Sequence, residues 1–136
     1  RELGFNGPLV GGDGWDSPEL FKIGGTAVEN GFFTNHFSID DPRPAVEEFV
    51  HKYQVRYNKV PDAIAVLAYD SMYILLDAIK RAGSTDPEKI KAALTSTNIN
   101  VVTGFITFDK NRNPIKPAVI IAVKNGQQVY QATINP

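Results

Sequence analysis

The chain has 136 residues, 43% of them hydrophobic, which is one ordinary domain's worth of sequence with enough apolar content to bury a core. A formal charge of −1 without any basic cluster leaves nothing to neutralise a phosphate backbone, so no nucleic-acid partner is expected. The lack of cysteine excludes a disulfide framework, thiolate metal sites and a cysteine nucleophile, and no apolar run approaches the ~20 residues that span a bilayer.

Arg1-Glu2-Leu3-Gly4 reads as the last turn of a helix closed by a glycine cap, so the sequence is expected to begin part-way through a fold, as a fragment or a processed product. Residues 8–12 read as a short buried strand that runs into glycines, as strands do at a βα turn. Ser17 can cap a short helix with Pro18 at its first position, and Gly24-Gly25 ends it. The aromatic and β-branched residues of 31–37 predict a second strand, terminated by Asp40-Asp41-Pro42.

Over 43–58, Ala45, Val46, Phe49, Val50, Tyr53 and Tyr57 form one apolar stripe, with Glu47, Glu48, Lys52 and Arg56 turned outward, predicting a helix packed on one side. Residues 62–82 are apolar almost throughout and predict a central, mostly buried helix with Gly83 as its cap. Asp86-Pro87 starts a third helix whose buried face is Ile90, Ala93 and Leu94. Strands are then expected over 101–109, 117–124 and 127–134, the last two joined by Asn125-Gly126, the strongest short hairpin signal. This order predicts an α/β layered fold ending in a β-hairpin.

The chemistry carried by these elements is sparse. Asp109-Lys110-Asn111-Arg112-Asn113 begins like a calcium loop, but Pro114 stands at the sixth position and Ile120 at the twelfth, so it reads as a polar turn. His36 and His51 lack partners at metal-ligand spacing and read as surface or packing residues; no metal and no cofactor is expected. Gly11-Gly12-Asp13-Gly14 fits neither a dinucleotide fingerprint nor a phosphate-binding loop, and no serine sits in a nucleophile elbow. Asp16 and Glu19 fit the preference of acids for a helix start. Asp13 carries two readings: an Asx-turn closing its own loop, or a carboxylate facing a ligand where βα loops converge, with glycines that let the ligand approach. Trp15 beside it is a ligand wall or a core residue, and a lone tryptophan reads first as core.

Taken together, Arg1-Glu2-Leu3-Gly4, Pro8 to Trp15, Val46-x-x-Phe49-x-x-x-Tyr53, Ala68-Tyr69-Asp70-Ser71 and Gly104-x-Ile106-x-Phe108-Asp109 resemble the C-terminal part of type I periplasmic binding proteins. The likeness is to the leucine/isoleucine/valine-binding branch that serves ABC importers. It implies part of a two-lobe α/β fold, with residues 1–38 and 98–136 in the second lobe, the helices of 42–97 in the first, and 39–41 and 98–102 as hinges. It also implies that Asp13 takes the α-ammonium of an amino acid, with Gly12 and Gly14 making room and Trp15 and Tyr69 lining the site. Ala63 and Ile64 are candidates to reach the cleft too, but read better as core.

The expected function is therefore extracytoplasmic solute binding without chemical change, in the periplasm or outside the cell, with lipid anchoring as one form. The partners are a neutral amino acid, a membrane permease, and either the missing N-terminal part or a second copy. A sensory receptor domain of the same fold, or a small enzyme using Asp13 as base, are the alternatives; the enzyme would need a second titratable group within hydrogen-bond reach.

Overall fold

The computed structural model describes residues 1–136. Val10–Gly11 (β1) pairs in parallel with Phe32–Asn35 (β2), Val10 opposite Phe32 and Gly11 opposite Phe33. Between them lie a 3-10 turn over Asp13–Trp15, the helix Pro18–Gly24 (α1) and a second 3-10 turn over Gly25–Val28. The start of α1 follows from its sequence: Ser17 accepts the Glu19 amide at 3.2 Å and Pro18 occupies the first turn, where its missing N–H costs nothing.

Helices Pro44–Tyr57 (α2), Ala63–Ala82 (α3) and Pro87–Thr95 (α4) follow at the predicted places. Asp62 caps α3 by accepting the Ala65 amide at 2.8 Å, Asp86 caps α4 by accepting that of Lys89 at 3.1 Å, and Gly83 ends α3 in the left-handed region. One expectation for α3 is not met. Only Ala63, Val66, Asp70 and Ala78 are buried, while Ile64, Ala68, Met72 and Leu76, each four residues on, form an exposed apolar stripe. The cause is coverage: α4, β3 and the side chains of α2 occupy the other side of the helix, and nothing in these residues reaches this one.

The single strand expected over 101–109 is two strands. Asn98–Val101 (β3) and Gly104–Phe108 (β4) form an antiparallel hairpin, and Pro114–Ile115 (β5) adds to the far side of β4. The β-branched run Val101-Val102-Thr103 reads as strand, but the Val102 and Thr103 amides donate to the Asp70 carboxylate on α3, at 3.0 and 2.9 Å, which turns the chain there. Ala118–Lys124 (β6) and Gln127–Ile134 (β7) form the predicted hairpin, with Asn125 at φ 54° and Gly126 at φ 70°, as a type I′ turn requires. Glu29 accepts both turn amides and fastens the hairpin tip to the segment before β2.

Two sheets result, one ordered β1-β2-β6-β7 and one ordered β3-β4-β5, and each belongs to its own core. Phe33, Val119, Ile121 and Val123 pack with Val28 under α1. Phe37, Val46, Phe49, Ala63, Val66 and Val102 pack between α2, α3 and the β3–β4 turn. Residues 98–115 form the sheet that sits with the helices, with Val102 inserted into the helical core. Asp41, in the earlier connection, grips Arg43 at the start of α2 through both carboxylate oxygens and accepts from Thr133 on β7 at 3.3 Å, tying the two cores together. No helix is long and apolar enough to cross a membrane.

Candidate functional site

Because β1 and β2 are parallel, their carboxyl ends leave the sheet on the same edge, where open α/β sheets place ligands. Asp13 follows the first and His36 the second. After Gly11 the chain enters a 3-10 turn, closed by the Trp15 amide on the Gly12 carbonyl at 3.0 Å and the Asp16 amide on that of Asp13 at 2.9 Å. Gly11 is explained by Trp15: any Cβ at Gly11 would collide with the indole, which packs on Phe33 at 6.2 Å and joins the sheet's core. Gly12 and Gly14 differ, since a Cβ at either would meet nothing within 4 Å, so the backbone beside Asp13 is open.

The Asp13 carboxylate makes no Asx-turn. Its side chain is 66% exposed, and Oδ2 lies 3.2 Å from Nε2 of His36. The second imidazole nitrogen, Nδ1, is 3.4 Å from the Lys116 Nζ, which also donates to the Pro117 carbonyl at 3.2 Å. Burial lowers the pKa of Lys116; the Asp70 charge opposes this and Arg43 reinforces it. His36, read from sequence as a surface or packing residue, is thus the partner of Asp13; the signal was its place just after a strand parallel to β1.

Asp13, Gly14 and His36 form one wall of a cavity of about 260 Å³, and Ala63, Ile64 and Leu67 at the start of α3 form the other. Ile64 is 73% exposed and faces this space, whereas the sequence favoured core for it; Ala63 is buried and lines the cavity as well. Tyr69 lies elsewhere. Five residues on from Ile64 it is turned about 140° around the helix, stacked on Phe49 at 5.0 Å and Tyr73 at 4.7 Å. Its hydroxyl donates to that of Tyr73 at 3.1 Å, and this bond, with burial, pushes its pKa up to about 12. It borders a separate hollow with Glu48 and Lys52.

The arrangement can hold a cation against an apolar wall. Asp13 and His36 stand within hydrogen-bond reach of each other, and the far nitrogen of His36 meets the Lys116 amine. The acid of the near-calcium loop is spent internally: Asp109 Oδ1 accepts the Asn111 and Asn113 amides, both at 2.8 Å, as the polar-turn reading predicted.

The periplasmic binding protein family model matches residues 1–128. The Leu/Ile/Val-binding protein homolog 2 of Brucella abortus is 33% identical over 130 residues, covering 93% of this chain and 34% of the relative. Among solved structures, the leucine-binding protein LivK of Thermotoga maritima is 45% identical with a TM-score of 0.84, covering 100% of this chain and 39% of that one. The branched-chain amino acid transporter substrate-binding protein LivJ of Streptococcus pneumoniae, solved with isoleucine, is 29% identical with a TM-score of 0.81 and the same coverage. The chain therefore spans roughly a third of the length of such relatives, 34% in the Brucella abortus case. With the two-core α/β fold, the exposed acid at the sheet edge and a family match over nearly its whole length, the chain belongs to the periplasmic binding protein family.

Proposed function

We propose that the chain is the C-terminal part of an extracytoplasmic solute-binding protein of an ABC importer, and that it contributes half of a site for a branched-chain or similar neutral amino acid. The observation that carries this reading is Asp13: an exposed carboxylate at a strand end, beside open glycine backbone, facing Ile64 and Leu67 across a cavity. A carboxylate suits an α-ammonium, and the aliphatic wall suits an apolar side chain. The relatives named for leucine, isoleucine and valine point the same way.

In this reading residues 1–38 and 118–136 belong to one lobe, residues 42–115 to the other, and the connections at 39–41 and 116–117 to the hinge. Binding proceeds without chemical change. Gly12 and Gly14 admit the ligand, Trp15 supports the loop from below, and Tyr69 shapes the helical lobe away from the ammonium. A charge-assisted bond contributes about 1.5–3 kcal/mol, against the ~8 kcal/mol of a micromolar complex, so Asp13 needs partners from an upstream lobe. That lobe, covering the exposed stripe of α3, is the first partner; a permease is the second. The location is periplasmic or extracellular, with lipid anchoring as one arrangement.

The test is calorimetric titration of the protein in which this chain is joined to its upstream lobe. L-leucine, L-isoleucine or L-valine is expected to saturate a single site, with glucose and inorganic phosphate giving no heat. Saturation by the sugar alone would overturn the reading.

A further inference from the structure

We propose that His36, oriented by Lys116, positions Asp13 and makes amino-acid binding weaken as the pH falls through the imidazole range; this rests on Asp13 being the ammonium partner. The geometry has a direction. Lys116, as an ammonium, has three donors and no lone pair, so the Nδ1 facing it at 3.4 Å must be the acceptor. The proton of a neutral His36 then sits on Nε2 and is donated to Asp13 Oδ2 at 3.2 Å. This holds one carboxylate oxygen in place and leaves the other free for a ligand.

The arrangement also links the site to the hinge. Lys116 sits in the connection between β5 and β6, where the chain passes from one core to the other, and it is anchored there by the Pro117 carbonyl. The bond to His36 therefore runs from the connecting segment to the ligand-facing loop.

Protonation changes both ends of the histidine. An imidazolium has no acceptor for Lys116, and two cations then face each other at 3.4 Å. At the other end a full positive charge stands 3.2 Å from the carboxylate that is to receive the ammonium, and competes with it. The remaining charged groups lining the same cavity are Asp16 beside the 3-10 turn and Asp62 at the cap of α3; Asp70 and Arg43 act on Lys116 from behind. Among these side-chain types histidine is the one whose unperturbed proton exchange falls between about pH 5 and about pH 8, and burial moves Lys116 downward from the ordinary lysine range.

The test is leucine affinity by calorimetry between about pH 8 and about pH 5, in the protein comprising this chain and its upstream lobe. The native protein is expected to lose about three- to tenfold over that range, the effect of one unit charge a few ångströms from the ammonium at intermediate dielectric. His36→Gln, which keeps a donor but cannot be charged, is expected to lose the slope, whatever its affinity at the upper pH. Lys116→Met removes the neighbouring cation and is expected to keep the slope but move its midpoint to higher pH. A flat native profile, a native-like slope in His36→Gln, or an unmoved midpoint in Lys116→Met would each overturn the proposal. Asp13→Asn separates the two levels: native affinity in that variant sinks the ammonium assignment itself, whereas weak binding in Asp13→Asn beside an unaltered His36→Gln profile sinks only the role of His36.

Discussion

Replacing Asp70 tests how the helical core is closed. Its carboxylate is 2% exposed in the middle of α3, and its two oxygens each accept one buried amide, from Val102 at 3.0 Å and Thr103 at 2.9 Å. Those amides sit in the turn between β3 and β4 and have no other partner, and Thr103 is itself 1% exposed. Leaving a buried donor unsatisfied costs about 1–3 kcal/mol, so Asp70→Ala forfeits roughly 2–6 kcal/mol through its two amides. Better helix propensity returns about 0.7 kcal/mol of this. Asp70→Asn keeps one carbonyl oxygen for one amide and sets a donor against the other, for a loss of roughly half as much. Urea unfolding of the chain should therefore rank native above Asn above Ala, with midpoints falling and the slope unchanged. Two variants within about 0.5 kcal/mol of native, the range of an ordinary surface change, would refute the closing role of Asp70.

Two further expectations concern the connection and the uncovered helix. Burial raises the pKa of Asp41, but the hydrogen bonds and charge of Arg43 outweigh it and, with Thr133, hold it below the ordinary 3.8. A carboxyl whose folded pKa is depressed adds stability above its unfolded value and loses it as the pH falls through the folded value, so the thermal midpoint should drop in acid below that 3.8, and less so in Asp41→Asn, which starts lower. The stripe of Ile64, Ala68, Met72 and Leu76 should make the isolated chain self-associate in light scattering; Met72→Lys with Leu76→Lys should restore a monomer, and a native chain that is already monomeric would contradict the need for a covering lobe.

Elements with local signals were readable in the sequence. Ser17-Pro18, Asp62, Asp86-Pro87 and Asn125-Gly126 satisfy their own backbone within a few residues, and the structure places helix starts and the hairpin turn there. What failed depends on distant partners. The β3–β4 turn is set by Asp70, some thirty residues away in sequence, and a carboxylate inside an apolar helix was its one unread sign. The exposure of α3 was misjudged because burial depends on what covers a face, which periodicity does not report. At the site, Asp13 stood out through its glycines, but His36 did not, since its role comes from the parallel register of β1 and β2. Tyr69 was carried by resemblance alone, and helix phase turns it toward Phe49 and Tyr73.

The central claim is that Asp13 receives the cationic group of an amino acid, and it is tested most directly by titrating L-leucine into the Asp13→Asn form of the protein that joins this chain to its upstream lobe. The account predicts a loss of about 1.5–3 kcal/mol, the cost typical of a charge-assisted bond, with the fold unchanged. Affinity equal to that of the native protein would contradict it.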